Sequence, residues 1–462
     1  MSVAAYVEAG PLERLEALCD PGTLRLIRTG VASRRMGEGA RAGDGVLGGA
    51  GRVGGRPVLC FAQDPGYAGG SLGEAHADTI VRVLRLAGQA GAPVVGFAAS
   101  GGARMQEGLA ALGGYGRIFA EHVRLAGRVP QISVVAGTSA GGGAYAPALT
   151  DVVVMTEESA MFLTGPAVVR EAVGEAVTAA ELGGPRVHER SGVCQLTVPD
   201  AAAGARAARE LVGLLGGGLA APAAPLPGDP GDAVPAAPRR AYDVRSVIER
   251  VVDGGALLEL SGRWARNVVT GLARLEGRAV GVVANQPRHL GGVLDAAASE
   301  KAARFVGLCD AFGVPLVVLV DTPGFLPGVR QETAGVIRHG AGLLRAFAAA
   351  RVPKLTVVLR KAYGGAAITM NSRDLGADLV LAWPGAEIGV MAASQAVAVA
   401  HRRALAAAPD PEAERARLAG AYAGEHLRAA VAARDGFVDE LIAPAATRDR
   451  LVWALDVLGA RR

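Results

Sequence analysis

Two short stretches of this chain hold residues able to stabilise a developing negative charge without a charged side chain. Pro130 to Gly142 reads PQISVVAGTSAGG and Pro353 to Gly365 reads PKLTVVLRKAYGG, and in each a glycine pair begins 11 positions after the proline. A buried strand that ends in a glycine-rich turn and starts a helix brings free backbone N–H groups and the positive end of the helix dipole to one point. Glycine permits the close approach and the φ values that aim those amides at a ligand oxygen. Each stretch is read as an oxyanion hole suited to a thioester enolate or a second carbonyl partner, with no protein nucleophile required.

The competing chemistry is a serine hydrolase. Gly137-Thr138-Ser139-Ala140-Gly141 follows a strand and precedes a helix, the context of a nucleophile elbow. The second stretch keeps the glycines but puts Lys361-Ala362-Tyr363 where the serine would stand, so what both copies retain is the amide donor. His188, His289, His339, His401 and His426 fit no pattern that selects a base. A literal G-x-G-x-x-G at Gly43, Gly45 and Gly48 neither follows a strong strand nor opens a helix, and hairpin turns are the reading there.

The elements that must position the two turns are themselves written twice. Pro93 begins PVVGFAASGG and Pro315 begins PLVVLVDTPG, and the next prolines of the pattern, Pro130 and Pro353, follow 37 and 38 positions later. Strands alternating with the helices Asp78 to Ala90, Gln106 to Leu125, Ser299 to Phe312 and Ala334 to Ala350 imply an α/β fold with crossover connections, one domain present twice. The expected boundaries are an N-terminal domain over 1–215, a Pro/Ala/Gly stretch over 216–240 that is the interdomain linker or a loop over the surface, and a C-terminal domain over 241–462. Residues 11–29 read as an amphipathic helix with Asp20-Pro21-Gly22 as a turn, and Gly43 to Phe61 as a β-meander.

Composition narrows the classes. Hydrophobic residues make up 50% and aromatics 4% of 462 residues, so the cores must be Ala, Val and Leu packed around glycine. With 48 basic against 44 acidic residues, charge gives no case for nucleic acid as a partner. Four scattered cysteines form no C-x-x-C pair, so no metal site is expected. The start, MSVAAYVEAGPLERLEALCD, has acidic residues where a signal peptide needs a basic start, and no apolar run reaches membrane-spanning length. A cytoplasmic protein with no membrane contact is expected.

SGGARMQEG from Ser100, SAGGGAYAPALTD from Ser139, DTPGFLPGVRQE from Asp321, IRHGA from Ile337, RKAYGG from Arg360 and MNSRDLGAD from Met370 stand in one order. Together they resemble the carboxyltransferase β-subunits of biotin-dependent acyl-CoA carboxylases, of the propionyl-CoA carboxylase type, from about Leu12 to the C-terminus. The resemblance implies two crotonase-like (ClpP/crotonase) domains, a homo-oligomer, usually a hexamer, and transfer of a carboxyl group from carboxybiotin on a biotin carboxylase or biotin carrier subunit to the α-carbon of a short-chain acyl-CoA. In such enzymes carboxybiotin releases carbon dioxide and the biotin enolate that remains takes the α-proton, so no protein base is needed. Carried over by motif, Gly141 and Gly142 would hold the acyl-CoA enolate in the acyl-CoA-side domain. Gly365 and Ala366 would hold the biotin ureido oxygen in the biotin-side domain. Ser100, Gly101, Gly102, Ala103 and Arg104 would line the coenzyme A pocket, although Arg104 also reads as a structural ion-pair partner. Asp321, at a strand end, reads as either loop-fixing or functional.

Three departures bear on substrate. Members selective for propionyl-CoA tend to be acidic three positions after the second glycine, where this chain has Ile368; an apolar residue there implies acetyl-CoA, broader acyl-CoA use, or a malonyl- or methylmalonyl-CoA decarboxylase subunit. After Val390-Met391 the family carries a glycine-rich continuation, and here Ala392-Ala393-Ser394-Gln395 follow. The basic helical segment that typically precedes the Leu12 helix is not found.

Overall fold

A computed structural model describes residues 10–238 and 240–459; residues 1–9, part of the stretch read for a leader, and Arg239 of the expected linker lie outside them. The chain divides into two compact units, Met1–Gly216 and Gly217–Arg462. Among the described residues no helix is long and apolar enough to cross a membrane.

The first unit is built on a mixed sheet of eight strands: β1 (Arg25–Ile27), β2 (Val46–Val53), β3 (Arg56–Gln63), β4 (Val94–Ser100), β5 (Gln131–Ala140), β6 (Val152–Thr156), β7 (Ala160–Phe162) and β8 (Leu196–Val198). Their order is β1-β2-β3-β4-β5-β6-β8, with β7 beside β5. The β1–β2–β3 pairings are antiparallel and the rest parallel. Gly54 and Gly55, both at positive φ, form the two-residue turn from β2 to β3 that the right-handed twist of a hairpin favours. Crossover helices Glu74–Ala90 and Leu109–Leu125 carry the chain from β3 to β4 and from β4 to β5. All seven residues of β4 are buried, as a parallel strand covered on both faces must be.

The second unit repeats this strand for strand. β9 (Leu258–Leu260), β10 (Val268–Leu275), β11 (Arg278–Asn285), β12 (Leu316–Thr322), β13 (Lys354–Tyr363), β14 (Leu379–Ala382), β15 (Glu387–Gly389) and β16 (Glu440–Leu441) run β16-β14-β13-β12-β11-β10-β9, with β15 beside β13. Crossover helices Ala296–Ala311 and Val336–Ala349 match those of the first unit. Even an isolated bridge recurs: Leu72 with Ala103, and 222 positions later Leu294 with Phe325.

One expectation changes. Of the helix expected over 11–29 with a turn at Asp20-Pro21-Gly22, only Pro11–Leu18 is helical; past the turn Arg25–Ile27 pairs with β2 as the alternation in LRLI allows. The Pro/Ala/Gly stretch is laid onto the second unit: Leu226 donates to the Glu249 carbonyl at 3.0 Å, Ala220 to that of Gly277 at 3.0 Å, and Ala233 and Val234 pack on the core. The literal G-x-G-x-x-G puts Gly43 and Gly45 at positive φ ahead of β2 and Gly48 inside it, where a Cβ would stand 2.9 Å from Val83.

Candidate active site

Both glycine turns arise from the same irregularity in the sheet. Ala98 of β4 pairs with Val135 of β5, yet two residues on, Ser100 pairs with Ser139; in the second unit Val320 pairs with Val358 and Thr322 with Ala362. Two residues thus face four, a bulge that bends the end of β5 and of β13 away from the sheet. Gly141 at φ 56° then leads into the helix Gly142–Ala148, and Gly364 at φ 59° opens the helix Gly364–Thr369. A φ in this range is strained for any residue with a side chain.

The pairing also sets which residues correspond. Ala140 stands opposite Phe162 and Tyr363 opposite Gly389, so Gly142 matches Gly365 and Gly143 matches Ala366. The pairs carried over by motif, Gly141–Gly142 and Gly365–Ala366, are therefore one position out of step. Gly141 donates its own N–H to the Phe162 carbonyl at 3.0 Å. The amide of Gly142, in the first turn of its helix and without an intrahelical acceptor, is the donor that this turn offers.

Behind the first turn lies Tyr115, which sequence reasoning did not single out. A Cβ at Gly142 would stand 2.7 Å from its ring, and one at Gly143 3.0 Å from the Ser100 Cβ. The Tyr115 hydroxyl and Ser100 Oγ are 3.0 Å apart, and Ser100 Oγ accepts the Gly102 N–H at 3.3 Å. Burial raises the Tyr115 pKa, so the phenol stays neutral. Gly101 is exposed and Gly102, at φ 99°, is buried; the Gly101 N–H is donated to Gly69 O, and Ala103 bridges to Leu72. The second unit keeps this frame: Thr322 Oγ1 accepts the Gly324 N–H at 3.3 Å. Gln63 Oε1 accepts the Ala99 N–H at 3.1 Å, and Asn285 Oδ1 the Asp321 N–H at 3.2 Å. The signal for these last two was available in the duplication, since both close the strand before the crossover helix.

Arg104 does not line a pocket. It is fully buried, its Nη1 lying 2.6 Å from Asp44 Oδ1 and 2.8 Å from Glu107 Oε1, while Nη2 donates to the Ser71 carbonyl at 2.9 Å. Burial raises the Asp44 pKa against the pull of Arg104. Burial also acts to raise that of Glu107, but hydrogen bonds from Glu74 N–H, Ser33 and Arg104 outweigh it and the net shift is downward. His76, buried beside them, is pushed down to about 3 by burial and then by the Arg104 charge. The structural ion-pair reading of Arg104 replaces the pocket-lining one. Its guanidinium ties the segment after β4 to the residues before β2.

The second turn has other supports. Asp321 ends β12 in a buried ion pair with Arg360, Nε to Oδ2 at 3.0 Å, and Arg360 lies over the Tyr242 ring at 5.0 Å. Burial raises the Asp321 pKa, opposed by Arg360 and Lys361. Burial lowers that of Lys361. The Tyr363 hydroxyl donates to Glu387 of β15. Gly365 and Ile368 are exposed and Ala366 buried. Ile368 stands at the mouth of a cleft of about 550 Å³ with mainly apolar walls. Ala392 to Gln395 cap and open the helix Ala393–Ala400. The serine elbow does not assemble: Ser139 is fully buried and its Oγ has no hydrogen-bond partner among the described residues.

With this geometry in view, the family model described as Carboxyl transferase domain matches residues 8–462. The methylmalonyl-CoA carboxyltransferase 12S subunit of Propionibacterium freudenreichii is 45% identical, over 97% of this chain and 88% of that protein. The biotin-dependent acetyl-/propionyl-coenzyme A carboxylase β6 subunit of Mycobacterium tuberculosis is 47% identical, over 98% and 95%. Among solved structures, transcarboxylase 12S, a hexamer with methylmalonyl-coenzyme A and methylmalonic acid bound, superposes with a TM-score of 0.95 at 44% identity, covering 98% of this chain and 90% of that one.

Proposed function

The chain belongs to the carboxyl transferase domain family, a pair of crotonase-like α/β domains, and from that premise we propose that it moves a carboxyl group from carboxybiotin to the α-carbon of a short-chain acyl-CoA. The observation that carries this reading is the duplicated turn, two helix N-termini raised from the sheet by the same bulge, with no nucleophile common to both.

In the first unit the Gly142 amide faces the thioester oxygen and strengthens its hold as that oxygen becomes an enolate. A single donor of this kind is worth about 100- to 1,000-fold in rate. Gly141 shapes the turn through its positive φ and its bond to β7. Ser100 to Ala103 form the adjoining wall, and Tyr115 fixes the turn from behind.

In the second unit the Gly365 turn would hold the ureido oxygen, on which negative charge develops as the carboxyl group leaves. Gly365 is exposed, a Cβ there would come no nearer than 3.9 Å to Phe325, and the adjoining walls are apolar. Carboxybiotin, when bound, supplies the carboxyl group as carbon dioxide. Gly365 and Ala366 would orient it, and the Asp321–Arg360 pair holds the strand end beneath. The partner is a biotin carboxylase or biotin carrier subunit, the assembly a homohexamer, and the location, like that of its coenzyme A substrate, the cytoplasm.

The test supplies labelled bicarbonate, ATP and a biotinylated carboxylase subunit with acetyl-, propionyl- or butyryl-CoA. Incorporation into any of them is expected. No incorporation by a carrier shown to be carboxylated, together with carbon dioxide release from malonyl- or methylmalonyl-CoA, would replace the reading with a decarboxylase.

A further inference from the structure

The hairpins that open the two sheets differ on one face. In the second unit Ala273 and Val282 stand there, both in its hydrophobic core. The register gives their counterparts: Gly271 faces Val282 and Ala273 faces Val280, as Gly49 faces Cys60 and Gly51 faces Val58. The first unit thus has a bare glycine in place of the alanine and a thiol in place of the valine.

The space that Gly51 leaves is taken by Cys19, which caps the helix Pro11–Leu18; a Cβ at Gly51 would stand 2.4 Å from Cys19 Sγ. Cys60 belongs to the same face, its Sγ 3.8 Å from the Gly49 carbonyl. A hydrogen bond joins the Cys19 and Cys60 thiols, and both are buried, with 4% of Cys19 and none of Cys60 exposed. Helix and hairpin therefore meet through two sulfur atoms.

The two thiols are not alike. Arg209 stands beside Cys19, its Nη1 donating to the Leu18 carbonyl at 2.6 Å and its Nη2 to Asp20 at 2.7 Å. The hydrogen bond from Cys60 lowers the Cys19 pKa against burial, and Arg209 lowers it further against Asp20; the same bond, and burial, push that of Cys60 up. Cys19 is the sulfur that ionises, and a thiolate, not a thiol, attacks an oxidant. Cys309 makes the contrast. It too lies over a glycine, 2.4 Å from where a Gly281 Cβ would stand, but burial and then Asp310 push its thiol up.

We propose that Cys19 and Cys60 form a reversible dithiol–disulfide switch driven by hydroperoxides, which clasps the first helix to β3. The Cys19 thiolate attacks one peroxide oxygen, the O–O bond breaks, and hydroxide leaves and takes up the proton that Cys19 had lost; Cys19 is now a sulfenic acid. The Cys60 sulfur then attacks that of Cys19. The S–S bond forms, the S–O bond breaks, and the displaced hydroxide leaves as water with the Cys60 proton. Two electrons have passed from the thiols to the peroxide, and an external thiol returns them by exchange. The clasp bears on the strand whose last residue, Gln63, holds the Ala99 N–H near the end of β4.

The experiment treats the whole chain with hydrogen peroxide, alkylates the free thiols in denaturant and maps the peptides by mass spectrometry. The expected result is one link within the chain, Cys19 to Cys60, with Cys194 and Cys309 alkylated and the link reversed by dithiothreitol. The oxidised protein should unfold at a temperature about 5–10 °C higher, because the link closes a loop in the unfolded chain. Cys60→Val, which installs the residue found at the matching place in the second unit, should leave a sulfenic acid at Cys19 that dimedone captures, and should abolish the rise. Four free thiols after peroxide, a link between two chains, or oxidation of Cys194 or Cys309 ahead of Cys19 overturns the proposal. A Cys19–Cys60 link that leaves the unfolding temperature unchanged, or an equal rise in Cys60→Val, also overturns it. Should Cys60→Val fail to fold, the wild-type peptide map decides.

Discussion

The two glycine turns share a backbone and differ in what holds it. In the first unit the turn is packed from behind by an aromatic ring, and the residue at Arg104 is a buried cation tied to two carboxylates. In the second, the matching position is Leu326, whose N–H donates to Leu294 O as that of Arg104 donates to Leu72 O, and the buried ion pair has moved to Asp321 and Arg360 on the strands themselves. The fold therefore requires the bulge and the glycines, and leaves the support to be met by whichever side chains fill the space. What differs is tolerance: a turn resting on a ring has no room to give, whereas an open one does.

The largest test of that difference removes the buried cation. Arg104→Met strands Asp44 and Glu107 without their partner, and breaking a buried pair in this way costs about 3–5 kcal/mol. Leu326→Met, at the matching site, should change stability by less than about 1.5 kcal/mol. Urea unfolding of the two variants measures both, and equal losses would mean that Arg104 is not the fastening of the first turn.

Next come the glycines. Gly142→Ala places a Cβ 2.7 Å from the Tyr115 ring, so the turn must shift; carboxyl transfer should fall about 100-fold or more. Gly365→Ala meets nothing closer than 3.9 Å and neither residue is at positive φ, so its loss should stay within about tenfold. Turnover at saturating acyl-CoA for each variant distinguishes a packed turn from an open one.

This asymmetry marks where sequence reading stops. The paired prolines, the apolar runs and the glycine offsets are local patterns, and they disclose the duplication, the strands that lead into both turns and the glycines proposed as donors, Gly142 and Gly365 among them. What they do not disclose is side-chain partnership across long separations. Tyr115 beneath Gly142 and Asp44 on Arg104 are brought together by the fold, and no spacing along the chain encodes them. The step of one residue between Gly365–Ala366 and Gly141–Gly142 was legible in the shared offset of 11 from Pro130 and Pro353, and the β5–β7 and β13–β15 registers agree with it. The shortened first helix was legible in principle, because Asp20-Pro21-Gly22 breaks the period and LRLI resumes it at two.

A smaller effect is expected at the two amide pins. Gln63→Leu and Asn285→Leu each leave a strand-end N–H without its acceptor, at about 1–3 kcal/mol apiece. Because the pins are duplicated, the two losses should be alike, and a thermal or urea midpoint that moves for one variant only would show that the repeats no longer share this device.

The last difference is a charge. On the helix after β3 the first unit has Thr79, which accepts from Arg28 Nε at 3.2 Å; the equivalent position of the second unit is Lys301, buried, with Nζ donating to the Trp264 and Val268 carbonyls at 3.0 and 2.7 Å. Burial lowers the Lys301 pKa from 10.5 to about 7, with Glu259 acting to raise it and Arg245 to lower it. The unfolded chain therefore binds more protons at this site between about pH 7 and pH 10.5, and stability rises with pH across that window. Below pH 7 both states are protonated and the burial penalty acts in full; above the window it is gone. Lys301→Met removes this slope, and it also leaves two carbonyls without their donor. Denaturant midpoints followed by tryptophan fluorescence should thus climb from pH 7 to 10 in the wild type more steeply than in Lys301→Met. The variant's deficit should be least near pH 6, where relief of a buried charge offsets the lost hydrogen bonds. Parallel curves would show instead that Lys301 keeps its ordinary affinity for protons and that the second unit tolerates a buried ammonium as readily as the first tolerates a threonine.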